Sequence, residues 1–423
     1  MSFNHLANET IQQIADDLSS EDAINLSATC TTLRAIGLRS ALRKYAAPCY
    51  KFDKFIAFAE CVLSKHSSDS KRATYLRSLK LYNPIIFHSC SFRAEWAQAL
   101  IRLLQDATSL REFSICYWQK ISVWCPAIGT ALSNARSLER IELHGMILRA
   151  NAPISLHHFP SSLHTLCLAQ THVPDVGYLP SLLAIIASLP HLHTLELKDV
   201  SVAANVDMSF GVPHISLSVR RLVVGWCCMP IIPFVRTFPN VRSATLLHLR
   251  DILLLDMHES TGPSLPAARW EYLESIQTDA WFADLIGEVA TCVKDLRLDF
   301  PYPGTIPGSP SASVVKVWQL CPDYYNYASR VYPERDCQQW MVPAVQTIAK
   351  LNISHLQFHF APSDTERPVR GTSKSNSTET PRLSERYFTG LICAARMLPT
   401  LQTVELLVNG GEMGEIERRS WRL

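Results

Sequence analysis

One short pattern of apolar residues recurs through most of this chain and limits the folds open to it. The pattern is an apolar residue, two variable residues, an apolar residue, a variable residue and a last apolar residue. Its ten instances begin at Leu76, Leu110, Leu138, Leu163, Leu192, Val219, Val241, Val293, Ile353 and Leu401. From Leu76 to Val241 the instances start 22 to 34 residues apart. A period of this size indicates a repeat protein.

Each instance predicts one short β-strand. Its second and third apolar residues are two positions apart and share one face of a strand, whereas the first tucks the incoming chain beneath that face. Helical segments precede several instances, among them 96–104 and 179–189. The expected fold is therefore an α/β solenoid with parallel strands inside and helices outside, because no single repeat can bury its own apolar face.

The pattern resembles that of leucine-rich repeat proteins, and the resemblance implies an irregular array of such repeats over residues 76–423. Repeats of this family usually carry an asparagine, or a cysteine or threonine in its place, three residues after the last apolar position. Asn409, Cys227 and Thr171 stand at such positions.

The array is expected to be less regular in its second half. After Val241 the instances lie 52, 60 and 48 residues apart, so insertions or degenerate repeats must fill the gaps, and 265–273 is a candidate. Irregular loops are expected near 301–313 and 361–386, where proline, glycine, serine and threonine are frequent.

The first 45 residues carry a different pattern, which predicts short helices. Spacings of five, three and four separate Leu6, Ile11, Ile14 and Leu18, which predicts an amphipathic helix that begins near Asn8.

Two further helices are expected after Leu18. Ser19 or Ser20 can cap the first of them, and the run 29–45 predicts the other, which should stop before a turn signal at 46–48. The chain then divides into a helical head (1–45), a helical linker (46–75) and the repeat array (76–423). Three short helices lie near the lower limit for an independent core, so such a unit usually shares apolar surface with a partner.

The order of apolar and polar residues in this head resembles the F-box family. The matching residues are Leu6, Glu9, Ile14, Leu18, Leu26, Cys30, Leu33 and Arg34. The resemblance implies docking onto the small Skp-type adaptor subunit of a ubiquitin ligase and, through it, onto a cullin scaffold. The residues expected at that contact are Leu6, Ile11, Ile14, Leu18, Leu26, Cys30 and Leu33. The alternative is a helical cap that covers the open end of the array and binds no partner.

Composition and motifs argue against several other classes of function. Charged residues make up 18% of the chain and the net charge is +2, which gives no reason to expect nucleic acid or a membrane surface as partner. No secretory signal or apolar run of about 18 residues is present, so a cytoplasmic or nuclear protein is expected. The 13 cysteines form no Cys-x-x-Cys motif. The 15 histidines complete no zinc motif, and no phosphate-binding loop occurs, so neither a cofactor nor an enzyme is expected.

A recognition surface is expected on the strand residues that alternate with the buried positions. The residues selected from that face are Lys80, Tyr82, Arg140, Glu142, His144, Glu196, Lys198, Arg221, Arg297 and His355. Their mixed charge suits a protein partner better than a phosphate backbone.

The predicted function is a substrate-recognition adaptor of an SCF-type ubiquitin ligase that holds an unidentified target protein. The alternative is a repeat scaffold or interaction module that is not coupled to ubiquitination. An enzyme carried by the 250–350 region is the weakest hypothesis, since no nucleophile–base pair is visible there.

Overall fold

A computed structural model describes a defined part of the chain. The described residues are 8–48, 52–64, 72–82, 94–147, 159–173, 178–202, 215–227, 229, 231–247, 269–279, 286, 289–301, 355–361, 403–410 and 415–422. They form two compact units, one with the described residues up to Asn240 and one with those from Val241 onward.

Three packed helices open the first unit, as predicted. They are α1 (Asn8–Asp17), α2 (Ser20–Thr29) and α3 (Thr31–Ala41). Ser19 is the N-cap of α2, since its hydroxyl accepts the backbone N–H of Asp22 at 3.1 Å. This bond satisfies one of the N–H groups that a helix start leaves without a partner.

Helices α2 and α3 approach each other closely at Gly37. A Cβ atom at this position would lie 2.5 Å from the carbonyl oxygen of Ala23 and 2.7 Å from the backbone nitrogen of Ser27. Three residues further along α3, the Ser40 hydroxyl donates to the carbonyl oxygen of Ala15 in α1. The absence of a side chain at Gly37 is therefore what allows the two helices to pack at this distance.

The sheet begins earlier in the chain than the repeat pattern suggests. Strand β1 (Lys44–Pro48) pairs in parallel with β2 (Ser78–Tyr82). The turn predicted at 46–48 is wrong, because these residues lie within β1. Proline has no N–H to donate, and it is tolerated in a strand when it stands at an edge or an end. Pro48 stands at such an end. Helix α4 (Phe52–Leu63) and a 3-10 turn (Arg72–Tyr75) connect the two strands.

The remaining elements of the first unit repeat a strand and, in most cases, a helix. The strands are β3 (Glu112–Cys116), β4 (Arg140–His144), β5 (Thr165–Val173), β6 (Thr194–Val202) and β7 (Arg221–Gly225). The helices are α5 (Ala94–Asp106), α6 (Trp118–Trp124), α7 (Pro126–Ser133), α8 (Tyr178–Ala187) and α9 (Ile232–Thr237). Each strand from β1 to β7 pairs in parallel with the next. The predicted α/β array of parallel strands is confirmed.

The core of the first unit contains the apolar positions of strands and helices. In β2, Leu79 and Leu81 are at most 1% exposed. Trp96 of α5 is fully buried, and its ring centroid lies 5.7 Å from that of Phe55 in α4. Burial of one such side chain stabilises the fold by roughly 1.5–3 kcal/mol.

A buried cysteine just after β7 bonds to the backbone of β6, the preceding strand. The Sγ atom of Cys227 accepts the N–H of Val200 at 3.4 Å and donates to the carbonyl oxygen of Leu197, also at 3.4 Å. Cys227 occupies the position where the family resemblance expects an asparagine or its substitute. Its thiol thus bonds to backbone groups of the preceding repeat.

The second unit also contains parallel strands, and its last two strands are antiparallel. Its strands are β8 (Ser243–Leu247), β9 (Leu273–Asp279), β10 (Val293–Pro301), β11 (His355–Ala361), β12 (Thr403–Gly410) and β13 (Glu415–Arg422). Strands β8 to β12 pair in parallel, and β13 pairs with β12 in the antiparallel direction. The loops predicted near 301–313 and 361–386 lie outside the described residues, apart from the strand-ending residues Pro301 and Ala361.

Strand β9 is the degenerate repeat that the wide spacing after Val241 suggested. It begins at Leu273, the last residue of the candidate segment. Register places Leu273, Ile276 and Thr278 opposite the apolar residues of the β10 pattern. Thr278 stands where the pattern has an apolar residue, so the pattern alone does not detect this repeat.

Candidate recognition surface

Strands β4, β5 and β6 bring polar side chains into two adjacent rows. Arg140 of β4 is in register with Thr165 and Thr194, and Glu142 is in register with Cys167 and Glu196. These residues alternate along their strands with apolar residues that are fully buried, so they project from the opposite face of the sheet. The second row thus places a thiol between two carboxylates.

An ion pair spans this part of the face from β4 to β6. The guanidinium of Arg140 donates to both carboxylate oxygens of Glu196, at 2.7 and 2.9 Å. Neighbouring strands are about 4.8 Å apart, so the pair crosses the full width of β5. The crossing is possible because Thr165 and Cys167 are small. Although Cys167 projects from this face, its side chain is 0% exposed to solvent.

Two further contacts extend the ion pair into a cluster. The Lys198 ammonium lies 3.0 Å from Glu196, and the His144 Nε2 lies 3.2 Å from Glu142. We call Arg140, Glu142, His144, Glu196 and Lys198 the ion cluster. Two carboxylates, two permanent cations and one histidine give it little net charge, and each side chain is held by another.

The two carboxylates of the ion cluster are stabilised in their charged forms. Hydrogen bonding to Arg140 lowers the pKa of Glu196 to about 2, and hydrogen bonding to His144 lowers the pKa of Glu142 to about 2. Burial opposes both shifts, but the hydrogen bonds and the nearby cations outweigh it. The pKa of Arg140 is raised by its hydrogen bonds to Glu196.

The thiol between the carboxylates is stabilised in its neutral form. Burial, and after it the negative charge of Glu142, raises the pKa of Cys167 to about 12. Its Sγ atom lies 3.7 Å from a carboxylate oxygen of Glu142. A thiol in this state is a poor nucleophile, so the geometry supports packing and not chemistry at Cys167.

The structure brings together five of the ten residues predicted for substrate recognition, and these five are the ion cluster. Lys80 and Tyr82 are exposed on β2, two strands from β4, and Arg221 is exposed on β7. Arg297 on β10 and His355 on β11 belong to the second unit, and only the backbone of His355 is described.

Sequence reasoning omitted the residues of β5 from this face. Thr165 and Cys167 alternate with the buried Leu166 and Leu168 in the same way as the charged residues of β4 and β6. The alternation was sufficient to find them, but they carry no charge. Their contribution is their small size, which opens the path between Arg140 and Glu196.

A row of unusual backbone conformations borders the ion cluster, one residue after the strand positions of His144 and Lys198. Tyr117, Gly145, Gln170, Asp199 and Trp226 have φ angles between 50° and 65°. Each follows the strand positions that align across β3 to β7. Four of them are not glycine, and such residues cost on the order of 1 kcal/mol or more each in this region. The repeat geometry thus fixes the direction of the chain at this edge.

The ring of Tyr117 lies over Gly145. A Cβ atom at Gly145 would lie 3.4 Å from the ring. Lys120 places its ammonium 5.4 Å from the centroid of the same ring. The edge of the face therefore carries an ordered aromatic side chain.

The residues predicted to contact an adaptor subunit fall into two groups. Ile11 and Leu33 are 6% and 7% exposed, so they hold the three helices together from within. Ile14 is 43% exposed, Cys30 is exposed, and Leu18 and Leu26 are half-buried. Leu6 lies outside the described residues.

The exposed residue missed at this end of the chain is Ile24 of α2. It is 55% exposed. Ile24 is not one of the residues that match the F-box order, so the sequence resemblance gives it no role.

The described residues contain neither a metal-binding cluster nor a membrane-spanning helix. No group of three or more His, Cys, Asp or Glu side chains in the described ranges has an arrangement that could hold a metal ion. Among the helices of the same ranges, none has the length and hydrophobicity required to span a bilayer.

The strands and helices of the described residues define the class of fold, a leucine-rich-repeat-like α/β array. No protein-family model matches the chain. No curated protein matches it either. Among solved structures, the chain is similar to an internalin (InlF) from Listeria monocytogenes. The sequence identity is 12%, the match covers 87% of this chain and 97% of the internalin, and the TM-score is 0.27. A likeness of this size supports no statement about fold or function.

Proposed function

We propose that this chain is a protein-interaction module that binds its partner through the ion cluster and the neighbouring exposed strand residues. The observation that carries the proposal is the set of paired side chains on β4 and β6. Their positions are set before a partner arrives, because each charged group is held by another one. Preorganised polar groups lose little conformational entropy on binding, and they give specificity through complementary charge.

The chemistry of the face favours a protein partner. Its carboxylates and cations alternate over a few residues, which fits an equally mixed protein surface. A nucleic acid would require clustered cations without interspersed carboxylates. The small thiol and hydroxyl of β5 leave a shallow path between charged rows, and such a surface suits recognition better than the enclosure of a small ligand.

A comparative capture experiment tests this proposal. The full chain and its Lys198→Ala variant would be used as baits under identical conditions, with Arg102→Ala as the matched control. Lys198 and Arg102 are both exposed, but Arg102 lies on α5. We expect proteins bound by the wild type to be retained by Arg102→Ala and lost by Lys198→Ala. Identical sets of bound proteins for all three baits would contradict the proposal.

A second candidate function is that of a ubiquitin-ligase substrate adaptor. It is supported by the F-box resemblance of the head and by the accessible apolar side chains of the three-helix unit, above all Ile14 at 43% and Ile24 at 55% exposure. Large apolar side chains at such exposure on a small helical unit favour a partner that covers them. In this function the three helices dock onto the Skp-type adaptor and the cullin scaffold, while the array holds the target.

Co-purification with the ligase's small adaptor subunit tests the second candidate. We expect the wild type to bind and Ile14→Asp to lose binding, because a carboxylate would replace an exposed apolar contact. Val123→Asp is the matched control, since Val123 is 66% exposed on α6, outside the three-helix unit. Failure of the wild type to bind the adaptor would remove this candidate and leave the uncoupled interaction module.

A further inference from the structure

A ladder of backbone hydrogen bonds runs across the first unit just before its strands. Its members are Arg43, Arg77, Arg111, Glu139, His164, His193 and Arg220. From Arg77 onward, the backbone N–H of each member donates to the backbone carbonyl oxygen of the preceding member at 2.8 or 2.9 Å. We call this row the entry ladder. It fixes the spacing of residues that lie far apart in the sequence.

The first three rungs of the entry ladder are all arginines. Neighbouring strands of a sheet are about 4.8 Å apart, so three cations follow one another at close range. A fourth cation lies at the same end of the ladder, because Arg39 precedes Arg43 by one helical turn. The Arg39 guanidinium lies 5.7 Å from the ring centroid of Tyr75, which is two residues before Arg77.

Among the described residues, only the outer two of these rungs form an ion pair with a carboxylate. Arg43 forms an ion pair with Asp16, and Arg111 lies 3.7 Å from Glu139. Within the described part of the chain, Arg77 has no ion-pair partner. Burial, followed by the positive charges of Arg43, Arg111 and Arg39, lowers the pKa of Arg77. The negative charge of Asp16 opposes this shift, but it is the weakest of the five contributions.

We propose that Arg39, Arg43, Arg77 and Arg111 form a binding site for a multiply charged phosphate group. The planar guanidinium matches two oxygens of a phosphate at once, and several arginines at close spacing suit more than one such group. Either a free polyphosphate or a phosphorylated segment of a partner protein supplies this chemistry. The site contains no residue of the ion cluster, so its test is independent of the proposed function.

Isothermal titration calorimetry of the full chain at low ionic strength tests the site. The probes are sodium pyrophosphate and a peptide with two adjacent phosphoserines, with the unphosphorylated peptide as the blank. We expect the wild type to bind at least one phosphate probe, and the probe that binds more tightly identifies the source. Arg77→Gln should weaken that binding by about tenfold or more, and Arg77→Lys by less, because lysine keeps the charge but loses the two-pronged donor.

The control variant is Arg102→Gln, which removes an exposed arginine of α5 and should leave binding unchanged. Circular dichroism verifies that each variant is folded. If Arg77→Gln unfolds, Arg39→Gln replaces it, because Arg39 is an exposed residue of α3. Absence of binding by the wild type to both probes would overturn the proposal. Wild-type affinity in the folded glutamine variant would overturn it equally.

Discussion

Replacement of Gly37 by alanine tests whether the close approach of α2 and α3 holds the three-helix unit together. In an isolated helix this change is stabilising by about 1 kcal/mol, because glycine is a poor helix former. In this structure the added Cβ would lie 2.5 Å from the carbonyl oxygen of Ala23, whereas ordinary contacts begin at 3.4 Å. The two helices must therefore separate by nearly 1 Å at this point.

The size of the effect follows from these two opposing contributions. Forcing an extra carbon into a packed contact costs about 1–3 kcal/mol, and the upper part of that range applies because the obstacle is backbone. After subtraction of the gain in helix propensity, we expect the free energy of unfolding of the three-helix unit to fall by roughly 1–2 kcal/mol. This corresponds to a five- to thirtyfold larger population of the open state.

Amide hydrogen exchange measured by mass spectrometry provides the assay. Peptides from α2 and α3 should exchange roughly five to thirty times faster in Gly37→Ala than in the wild type. The matched control is Gly225→Ala at the end of β7, where an added Cβ would have no atom within 4 Å. We expect exchange in the control to be unchanged or slightly slower. Equal or slower exchange of α2 and α3 in Gly37→Ala would refute the packing argument.

Three further predictions concern the strands. The pKa of Glu196 is lowered from 4.5 to about 2, so the charged carboxylate stabilises the fold fully above pH 4.5, and this stabilisation is lost as the pH falls toward 2. Glu196→Gln should therefore lower the free energy of unfolding by about 2 kcal/mol at pH 7. Its unfolding midpoint, measured by circular dichroism, should also depend less on pH between 4.5 and 2. Cys167 should resist a thiol reagent at pH 8 in the wild type and become labelled in Arg140→Ala, and mass spectrometry of the peptide that contains Cys167 measures the labelling. Equal labelling in both proteins would contradict the idea that the ion pair between Arg140 and Glu196 covers this thiol. Thr278→Val should raise the free energy of unfolding in urea by about 1 kcal/mol, because the buried Thr278 hydroxyl has no partner among the described residues. Thr171→Val is the control: it removes a hydroxyl that is bonded to a carbonyl oxygen, so it should lower the free energy of unfolding.

The repeat pattern predicted the strands that keep all three apolar residues, because period-two burial is a local property of the sequence. It missed β1, where Pro48 signals a turn, and it missed β13, whose residues Glu415–Arg422 include three arginines and two glutamates. Strand β1 is the first strand of its unit, and β13 is the last strand of the other unit. An edge strand needs little apolar surface and is often charged to prevent pairing with other chains, so it leaves no apolar signature.

The candidate surface was predictable residue by residue but not as an arrangement. Alternation along a strand placed Arg140 and Glu196 on the exposed face. Their contact depends on β5, the strand between them, where Thr165 and Cys167 are too small to block it. A sequence pattern within one repeat does not contain this information, because it describes neither of the other two repeats.

The ion pair between Arg140 and Glu196 also has a consequence for how the array opens. Repeat proteins usually unfold one repeat at a time, since each repeat contacts only its immediate neighbours. This pair joins the two strands that flank β5 and ties together repeats that are not adjacent. Release of β5 on its own would require the pair to break first. Strands β4, β5 and β6 therefore form one cooperative block, whose amides should share a single free energy of opening.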